Sequence, residues 1–464
     1  GTGEGGNPEG DRPFLRGFDS QASTFIDGLR DPASQSRDMF NVEQIDVIKG
    51  PDSAFSGAGA IGGSINLVGK QARKGDFTDL GLGVGTASYK RGTLDMNRQL
   101  GEHVAVRLNL MKENSDVAGR DAVFVDRLGA ALSLGLGLGT PTRVGVDFYH
   151  LETDDMPDYG HPYNNPYAAG TPNAAFNGDG GPLRVDRNNF YGLKDRDFRR
   201  TNADAFTFRI EHDIDAHWTL RNRTRLSRSL NDYVVSNPGD SSGLNITDTA
   251  FTNGGGLVEP GFLRRSPKTR YSTSSALINA TELTGDFQTG SIKHNVATGI
   301  EFSSLETDSR GYTVTGFSAA SIADPDPSDP WTGSIVRATA GNVVKTRTQG
   351  VYAFDTLTLN PQWLLNLGAR WDRFETAQRP YTTDGSAPNA ANFLSNSWTF
   401  WSYQAGVVYK PAANGSIYLN LSSSANPSGV TGGDGTDNLA GTNQDLQPEK
   451  TRAIELGTKW KLLG

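Results

Sequence analysis

The 464 residues contain no cysteine. That excludes a disulfide framework and any Cys-ligated zinc. No apolar run approaches the ~18 residues that mark a transmembrane helix. Positive charge is in deficit, with 44 Lys+Arg against 52 Asp+Glu and a formal charge of −8. A general nucleic-acid binder needs a basic surface, so that class is disfavoured. Aromatics make up 9%. The mean hydropathy of −0.48 reads as soluble, and the length by itself suggests two or three soluble domains. Neither inference survives a strand-by-strand reading, because a β-barrel that alternates lipid-facing and lumen-facing residues also averages polar. Glycine is what is abundant: 56 residues, well above the usual ~7%.

From about residue 77 the dominant period is two. Val104, Val106, Leu108 and Leu110 alternate with Ala105, Arg107 and Asn109. Leu128, Ala130, Leu132, Leu134 and Leu136 alternate with Gly129, Ala131, Ser133 and Gly135. Trp363, Leu365, Leu367, Ala369 and Trp371 alternate with Leu364, Asn366, Gly368 and Arg370. The pattern predicts about 14 strands, roughly 77–87, 90–100, 103–115, 127–138, 142–153, 198–213, 217–235, 269–287, 291–309, 342–359, 362–378, 397–410, 415–424 and 449–462. The 342–359 segment alternates poorly. Short turns near Gly101, Thr140-Pro141, Ile214-Asp215, Thr289-Gly290, Asn360-Pro361 and Ala412-Ala413 alternate with long loops at 154–197, 236–268, 310–341, 379–396 and 425–448. Short turns at one rim and long loops at the other describe an outer-membrane barrel. A soluble β-sandwich explains neither the alternation nor strands of this length.

The polar face of the strands carries arginine. Arg221, Arg223 and Arg225 stand at alternate positions on one strand, and Arg107, Arg143, Arg209 and Arg370 occupy matching faces. A cation facing lipid costs ~2–4 kcal/mol at the midplane, so these side chains are expected to face a polar lumen. Gly81, Gly83, Gly85, Gly129, Gly135 and Gly137 fall on the same side of the early strands, leaving room for something inside.

Residues 1–76 break the pattern. They carry Arg12-Pro-Phe-Leu-Arg-Gly-Phe-Asp19, Phe25-Ile-Asp-Gly-Leu-Arg-Asp31, Phe40-Asn-Val-Glu-Gln-Ile-Asp-Val-Ile-Lys-Gly-Pro51 and Ala54-Phe-Ser-Gly-Ala-Gly-Ala-Ile-Gly-Gly-Ser-Ile-Asn-Leu-Val68. In this order the segment resembles the plug domain of TonB-dependent outer-membrane receptors, in their siderophore-receptor branch. Leu446-Gln-Pro-Glu-Lys450 followed by Ile454-Glu-Leu-Gly-Thr458 is similar to a late barrel strand of that family, and Met156-Pro-Asp-Tyr-Gly160 with Pro162-Tyr163 to a loop of the same branch.

The resemblance implies an all-β fold: a transmembrane antiparallel β-barrel, about 14 of an expected 22 strands, with an N-terminal plug. Residues 1–72 would be the C-terminal part of the plug and 73–464 an incomplete barrel. The chain opens at Gly1 without a signal peptide and stops inside a strand pattern at Gly464, so the expectation is a partial chain. The implied function is import of a ferric siderophore across the bacterial outer membrane, with a weak tilt toward catecholates from the Met156–Tyr163 loop. No reaction is catalysed and no cofactor is held, since the iron arrives as a chelate. The implied partners are the ferric siderophore, the TonB-ExbB-ExbD complex and outer-membrane lipid, with no nucleic acid and a monomeric state. Receptors for cobalamin or a glycan, a passive porin and an outer-membrane hydrolase are the competing readings.

The family's plug arginine pairs with barrel glutamates, which carries over to Arg16 and Glu455 as a latch. A second plug arginine is missing, with Ala58 in its place, and Arg12 is a candidate substitute. Ligand contacts carry over by position to Gln21, Arg30, Gln35 and Arg37 on the plug and to Tyr159, Tyr163 and Tyr167 in the 154–197 loop.

Several motifs are decoys. Gly57-Ala-Gly-Ala-Ile-Gly62 matches GxGxxG, but an extended Ser64-Ile-Asn-Leu-Val68 follows where a dinucleotide site needs a helix. Gly239-Asp-Ser-Ser-Gly243 matches GxSxG in a polar loop, without the strand–turn–helix of a nucleophile elbow. The six histidines (His103, His150, His161, His212, His217 and His294) lack metal-ligand spacing. Gly432–Asn438 has oxygen ligands but no closing Glu for an EF-type calcium loop.

Overall fold

The computed structural model describes residues 11–461 except 12, 32, 34, 163–181, 240–249, 254, 383, 390–392 and 433–438. Among these the chain forms a small mixed sheet enclosed by a large antiparallel wall. The small sheet is the plug. A hairpin of β1 (Phe14–Leu15) and β2 (Phe18–Asp19) turns at Arg16-Gly17. A second sheet has the order β4-β3-β6-β5, from β3 (Thr24–Ile26), β4 (Leu29–Arg30), β5 (Val42–Lys49) and β6 (Gly63–Gly69), with one turn of helix, α1 (Ser53–Ser56), between β5 and β6. Gly57-Ala-Gly-Ala-Ile-Gly62 therefore leads from a helical turn into a strand, the reverse of a nucleotide-binding context.

The wall runs β7 (Phe77–Val84), β8 (Lys90–Gly101), β9 (Val104–Asp116), β10 (Phe124–Leu136), β11 (Thr142–Asp155), β12 (Phe198–Asp213) and β13 (Trp218–Pro238). A loop hairpin of β14 (Phe251–Asn253) and β15 (Gly256–Val258) precedes β16 (Phe262–Thr289) and β17 (Ile292–Val314). β18 (Ala319–Ser321) folds back onto β16. Then come β19 (Ile335–Asn360), β20 (Trp363–Pro380), β21 (Leu394–Ala412), β22 (Gly415–Asn426) and β23 (Glu449–Trp460). Fourteen strands pair in sequence order as one antiparallel meander. Among the described residues β7 and β23 each pair on one side only. Crossing a membrane takes ~9–11 residues per strand. The 28 residues of β16 and 26 of β19 are more than twice that length, and their excess lies on the long-loop side.

Exposure separates the two faces. Leu128, Leu132, Phe148, Phe206, Leu226, Phe302 and Trp401 lie on the outer surface, and Ile454 and Leu456 reach 76% exposure. Their alternation partners are buried: Arg107 at 3%, Arg225 at 6% and Arg370 at 1%. The arginine-bearing face is the inner one, and the inner face is polar, as expected of strands with lipid on one side only.

Among the described residues the plug touches the wall through four small apolar contacts, one of them the edge-on approach of Phe55 to Phe354 at 5.8 Å. Ala22 and Ala58 meet Phe374, Phe400 and Ala425. Leu29 meets Ile278, Ala276, Ala280 and Leu305. Phe40 meets Met111, Ala131 and Leu151, and its ring lies 5.7 Å from that of Tyr149. Of the six glycines expected to make room, Gly129 does so most directly: a Cβ there would sit 2.5 Å from the Phe40 ring. Gly135 faces the plug exit at Ala72. Gly81 lies against Thr93 of the neighbouring strand, Gly83 and Gly85 against Tyr89 in the turn before it, and Gly137 is a turn glycine with φ +68°.

Candidate functional site: the plug–wall interface

The interface is mostly polar, with hydrogen bonds to neutral groups outnumbering ion pairs among the described residues. Glu43 on β5 accepts from Arg107 at 2.8 Å, and Arg107 also grips Asp95 at 2.7 Å. Asp38, at the entry to β5, takes a fork from Arg91 at 2.6 and 3.0 Å and caps Phe40 N at 2.9 Å. Burial works against the charge of Asp38, but the Arg91 hydrogen bonds and the Phe40 N–H outweigh it and hold its pKa below the ordinary carboxylate value. Ser36 accepts from Arg199 at 2.7 Å. The Asp27 carbonyl accepts from Arg223 at 2.6 Å, and the Asp27 carboxylate accepts from Gly69 N at 2.8 Å. Burial raises the Asp27 pKa, with the Gly69 N–H pulling the other way. Asp52 is likewise raised by burial against hydrogen bonds from Ser56 and Ser64.

The densest contact lies against β20–β22. Arg370 is 1% exposed and pairs with Asp372 at 2.8 Å and Glu301 at 3.3 Å. The Arg30 guanidinium lies nearby, donating to the carbonyls of Ala22, Ser56 and Ala58. Both cations crowd Gly57, where a Cβ would be 3.0 Å from each. Backbone bonds finish the joint: Gly59 N donates to Ala425 O at 2.9 Å, and Ser424 Oγ donates to Ala60 O at 2.8 Å. Sequence reasoning missed this cluster, although Ala58 was noted as standing where a plug arginine is expected. A wall residue, Arg370, brings its charge to the neighbouring glycine.

The expected ligand residues fall into three groups. Gln21 is buried in a helical turn, Arg30 is committed to three carbonyls, and Gln35 donates to Asp31 at 2.6 Å. These shape the plug's interior and do not project from it. Arg37 is half-buried and pairs with Asp31 at 2.9 Å, and Tyr159 is half-buried in its loop. Tyr163 and Tyr167 lie outside the described residues, as do Arg12 and 433–438 of the glycine-rich loop. The structure does not bring Arg16 and Glu455 together. Arg16 is exposed at the β1–β2 turn beside Gly50, and Glu455 accepts from Tyr418 at 2.8 Å.

The long-loop side is more built than its composition suggests. Met156 packs with Val123 and Phe190, and Arg120 clamps Asp158 at 2.6 and 2.8 Å. Tyr191, Leu263, Ala320 and Ile322 form a separate core, with Tyr191 Oη donating to Ile322 O at 2.7 Å. Arg265, fully buried, pairs with Asp329 at 2.8 Å. Its only advance signal was the apolar Phe190-Tyr191-Gly-Leu193 run inside a polar loop.

Comparison with known proteins matches this geometry. The family model "TonB dependent receptor-like, beta-barrel" matches residues 59–463, and "TonB-dependent Receptor Plug Domain" matches 2–64. The chain is 40% identical over its whole length to the probable TonB-dependent receptor BfrD of Bordetella pertussis, and 38% identical to the probable TonB-dependent siderophore receptor PiuA of Acinetobacter baumannii. It spans 62% of the length of each. The crystal structure of PiuA superposes over 100% of this chain and 66% of its own, with a TM-score of 0.89 at 36% identity. The closed form of the ferric-catecholate import receptor Fiu from Escherichia coli K12 gives 0.86 at 34%, over 100% of this chain and 66% of its own. A plug seated by paired charges inside a long antiparallel wall, matched by both family models, places this chain in the TonB-dependent receptor family.

Proposed function

We propose that the chain belongs to an outer-membrane receptor that imports a ferric siderophore, of catecholate type, powered by the TonB-ExbB-ExbD complex acting on the plug. It moves a chelate without making or breaking its bonds, so it is a transporter and not an enzyme. The observation that carries the reading is the match of the whole chain, plug and wall together, to receptors named for siderophores and catecholates. The interface supports it physically. A plug held mainly by polar contacts can exchange them for water as it moves, whereas a dry core of the same area resists displacement. Arg37 and Tyr159 remain the candidate ligand contacts among the described residues, with Tyr163 and Tyr167 proposed alongside them. The test is ligand binding to the full-length receptor in detergent, followed by tryptophan quenching with a panel of ferric catecholates and hydroxamates. Saturation below about 1 μM with a catecholate, equivalent to about −8 kcal/mol, is expected. No saturation with any member of the panel overturns the siderophore reading.

A further inference from the structure

The outward face of the wall is not uniform. On β10 to β12 the belt that faces lipid shows Leu128, Leu132, Phe148 and Phe206, and on β20 and β22 it shows Leu367, Leu419 and Leu421, all exposed. β13 and β16 differ. Their outward positions run Leu220, Asn222, Thr224, Leu226 and Leu277, Asn279, Thr281, Leu283. Asn222 stands opposite Thr281, and Thr224 opposite Asn279. The four half-buried polar side chains form one cluster inside a ring of leucines. Asn222 Nδ2 donates to Thr281 Oγ1 at 2.7 Å and to Asn279 Oδ1 at 3.3 Å. Asn279 Nδ2 donates to Thr224 Oγ1 at 2.8 Å and to Asn222 Oδ1 at 3.2 Å. The cluster does not close on itself. Among the described residues Thr281 Oγ1 only accepts, and Asn279 Oδ1 takes a single bond. A hydroxyl proton and a carbonyl lone pair are left unspent at a surface where lipid offers no water to meet them.

Two rows lie between this cluster and the long loops. In the first, Leu226, Leu277 and Ser304 stand side by side on β13, β16 and β17. In the second, Arg228 stands opposite Ser275, and Ser275 opposite Glu306. Arg228 and Glu306 are both exposed. Among the described residues Arg228 has no ion pair or hydrogen bond, while Glu306 holds Lys345 at 3.1 Å in a solvent-exposed pair. Asp204, across from Arg228 on β12, is engaged by His150 at 2.8 Å. A groove of about 500 Å³ is cut into the outer face here, bordered by Phe206, Leu226, Leu277 and Ser304.

We propose that this outward face, centred on β16, docks a second copy of the chain within the membrane. Two copies inserted in the same direction form a closed pair about a two-fold axis along the membrane normal. An axis over β16 reverses the strand order across the contact, so β13 of one copy meets β17 of the other. Arg228 then faces Glu306 of the second copy, and Leu226 faces the small Ser304. Asn279 meets its own image, whose spare lone pair accepts the Thr281 proton. The face is thus complementary to itself in three respects: cation to anion, large to small, donor to acceptor. Acyl chains match only the apolar part of it, whereas side-chain amides and hydroxyls are the groups that hold membrane-embedded surfaces together. The paired state departs from the monomer that the motif resemblance implies, and it does not depend on what the receptor carries.

The test uses the full-length receptor in its own membranes. Leu277→Cys puts a thiol beside the proposed axis, and Leu132→Cys puts one on the apolar face of β10; these 464 residues contain no other. Oxidation with copper phenanthroline, with the unsubstituted receptor as blank, is expected to give at least about fivefold more covalent dimer from Leu277→Cys than from Leu132→Cys. On the Leu277→Cys background, Asn222→Leu with Asn279→Leu is expected to lower the yield about threefold. Arg228→Glu, at an exposed position where folding is not at stake, is expected to lower it about fivefold by setting like charges against each other. Adding Glu306→Arg to Arg228→Glu is expected to bring the yield back to within about twofold of the start. Equal yields from the two thiols mean random collision and overturn the proposal. No dimer from either means that lipid alone covers the face, and overturns it as well. So does a yield that neither the Leu pair nor Arg228→Glu lowers, or a double reversal that recovers nothing.

Discussion

The plug meets its wall in two different ways. Against β20–β22 the joint is closed: Arg30, Arg370, Glu301 and Asp372 share one buried cluster, Phe374 and Phe400 pack on Ala22 and Ala58, and backbone bonds tie residues 53–60 to 424–425. Against β11–β13 it is more open: cavities intervene, the larger of them also reaching Arg370 and Glu301, and Arg223 and Arg225 form no ion pair among the described residues. Charge is buried on both sides: the first side pairs it, and on the second Arg199 and Arg209 are paired with Asp155 and Asp147 while Arg225 forms no ion pair among the described residues. The closed side is therefore the anchor about which the plug is retained, and the open side is where space develops first if the plug moves.

The largest expected effect breaks the anchor. Arg370→Met leaves Asp372, which is 0% exposed, and Glu301 without their main cation. Stranding buried carboxylates costs about 3–5 kcal/mol, measured as a lowered urea midpoint for the full-length receptor. A change below about 1 kcal/mol would mean water already solvates the cluster, and the contrast between the two sides would disappear.

A middle-sized effect tests the dry foothold near the open side. Gly129→Val drives side-chain atoms into the Phe40 ring, where even a Cβ lies at 2.5 Å. Overpacking costs about 1–3 kcal/mol, and adding Phe40→Leu should return part of it. Faster hydrogen exchange confined to 36–49 is the expected signature. Exchange that instead rises at 53–60 would show the two sides to be one cooperative unit.

Acidity acts on the plug with opposite signs at different carboxylates. Asp38 has a depressed pKa, so its pairing with Arg91 contributes fully above the ordinary value of 3.8 and is lost only as pH falls through the lower folded value. Asp27 and Asp52 have raised pKa values, so their burial penalty is present at neutral pH and relieved as pH falls toward 3.8. Plug protection against exchange should thus hold or rise from pH 7 to about 4 and fall below it, by about 1–2 kcal/mol for the charge-assisted Asp38 bonds. In Asp38→Asn the acid fall should shrink, leaving the part due to Glu43 paired with Arg107, and a decline that begins near pH 6 would contradict the sign.

Much of this architecture was legible in the sequence because a wall with lipid on one side must alternate. The 198–213 segment is Phe198–Asp213, and the arginine-bearing faces of Arg107, Arg225 and Arg370 are buried as expected, whereas Gly137 lies in a turn beyond the end of its strand. The weakly alternating 342–359 segment is the longer Ile335–Asn360. Its outer face there carries Lys345, Arg347 and Gln349 above the apolar belt, opposite Thr346 and Thr348, so both faces are polar and the period fades. The arginine ladder was legible as lumenal, but its partners were not. Arg107 meets Glu43 across 64 residues and Arg370 meets Glu301 across 69, separations at which no local pattern speaks. The ordered segments in the long loops, β14–β15 and β18, are only three residues each, too short to show a period.

The smallest expected effect concerns the pair that the motif resemblance singled out. Arg16 sits in the left-handed region, φ 51°, at the tip of the β1–β2 hairpin, where it is exposed and its guanidinium lies over Gly50. Glu455 is on the inner face of β23, opposite the outward Ile454 and Leu456, and is already engaged by the Tyr418 hydroxyl. Two exposed charges without mutual contact couple by no more than about 0.5 kcal/mol. Arg16→Glu and Glu455→Arg should therefore be additive in plug stability, and the double swap should restore nothing that either single change removes. Coupling above about 1 kcal/mol, or uptake rescued by the swap, would show that the motif arginine reaches the wall in a second arrangement of the plug. The β20–β22 anchor would then be one of two latches, and the side of the wall that opens first would depend on which is engaged.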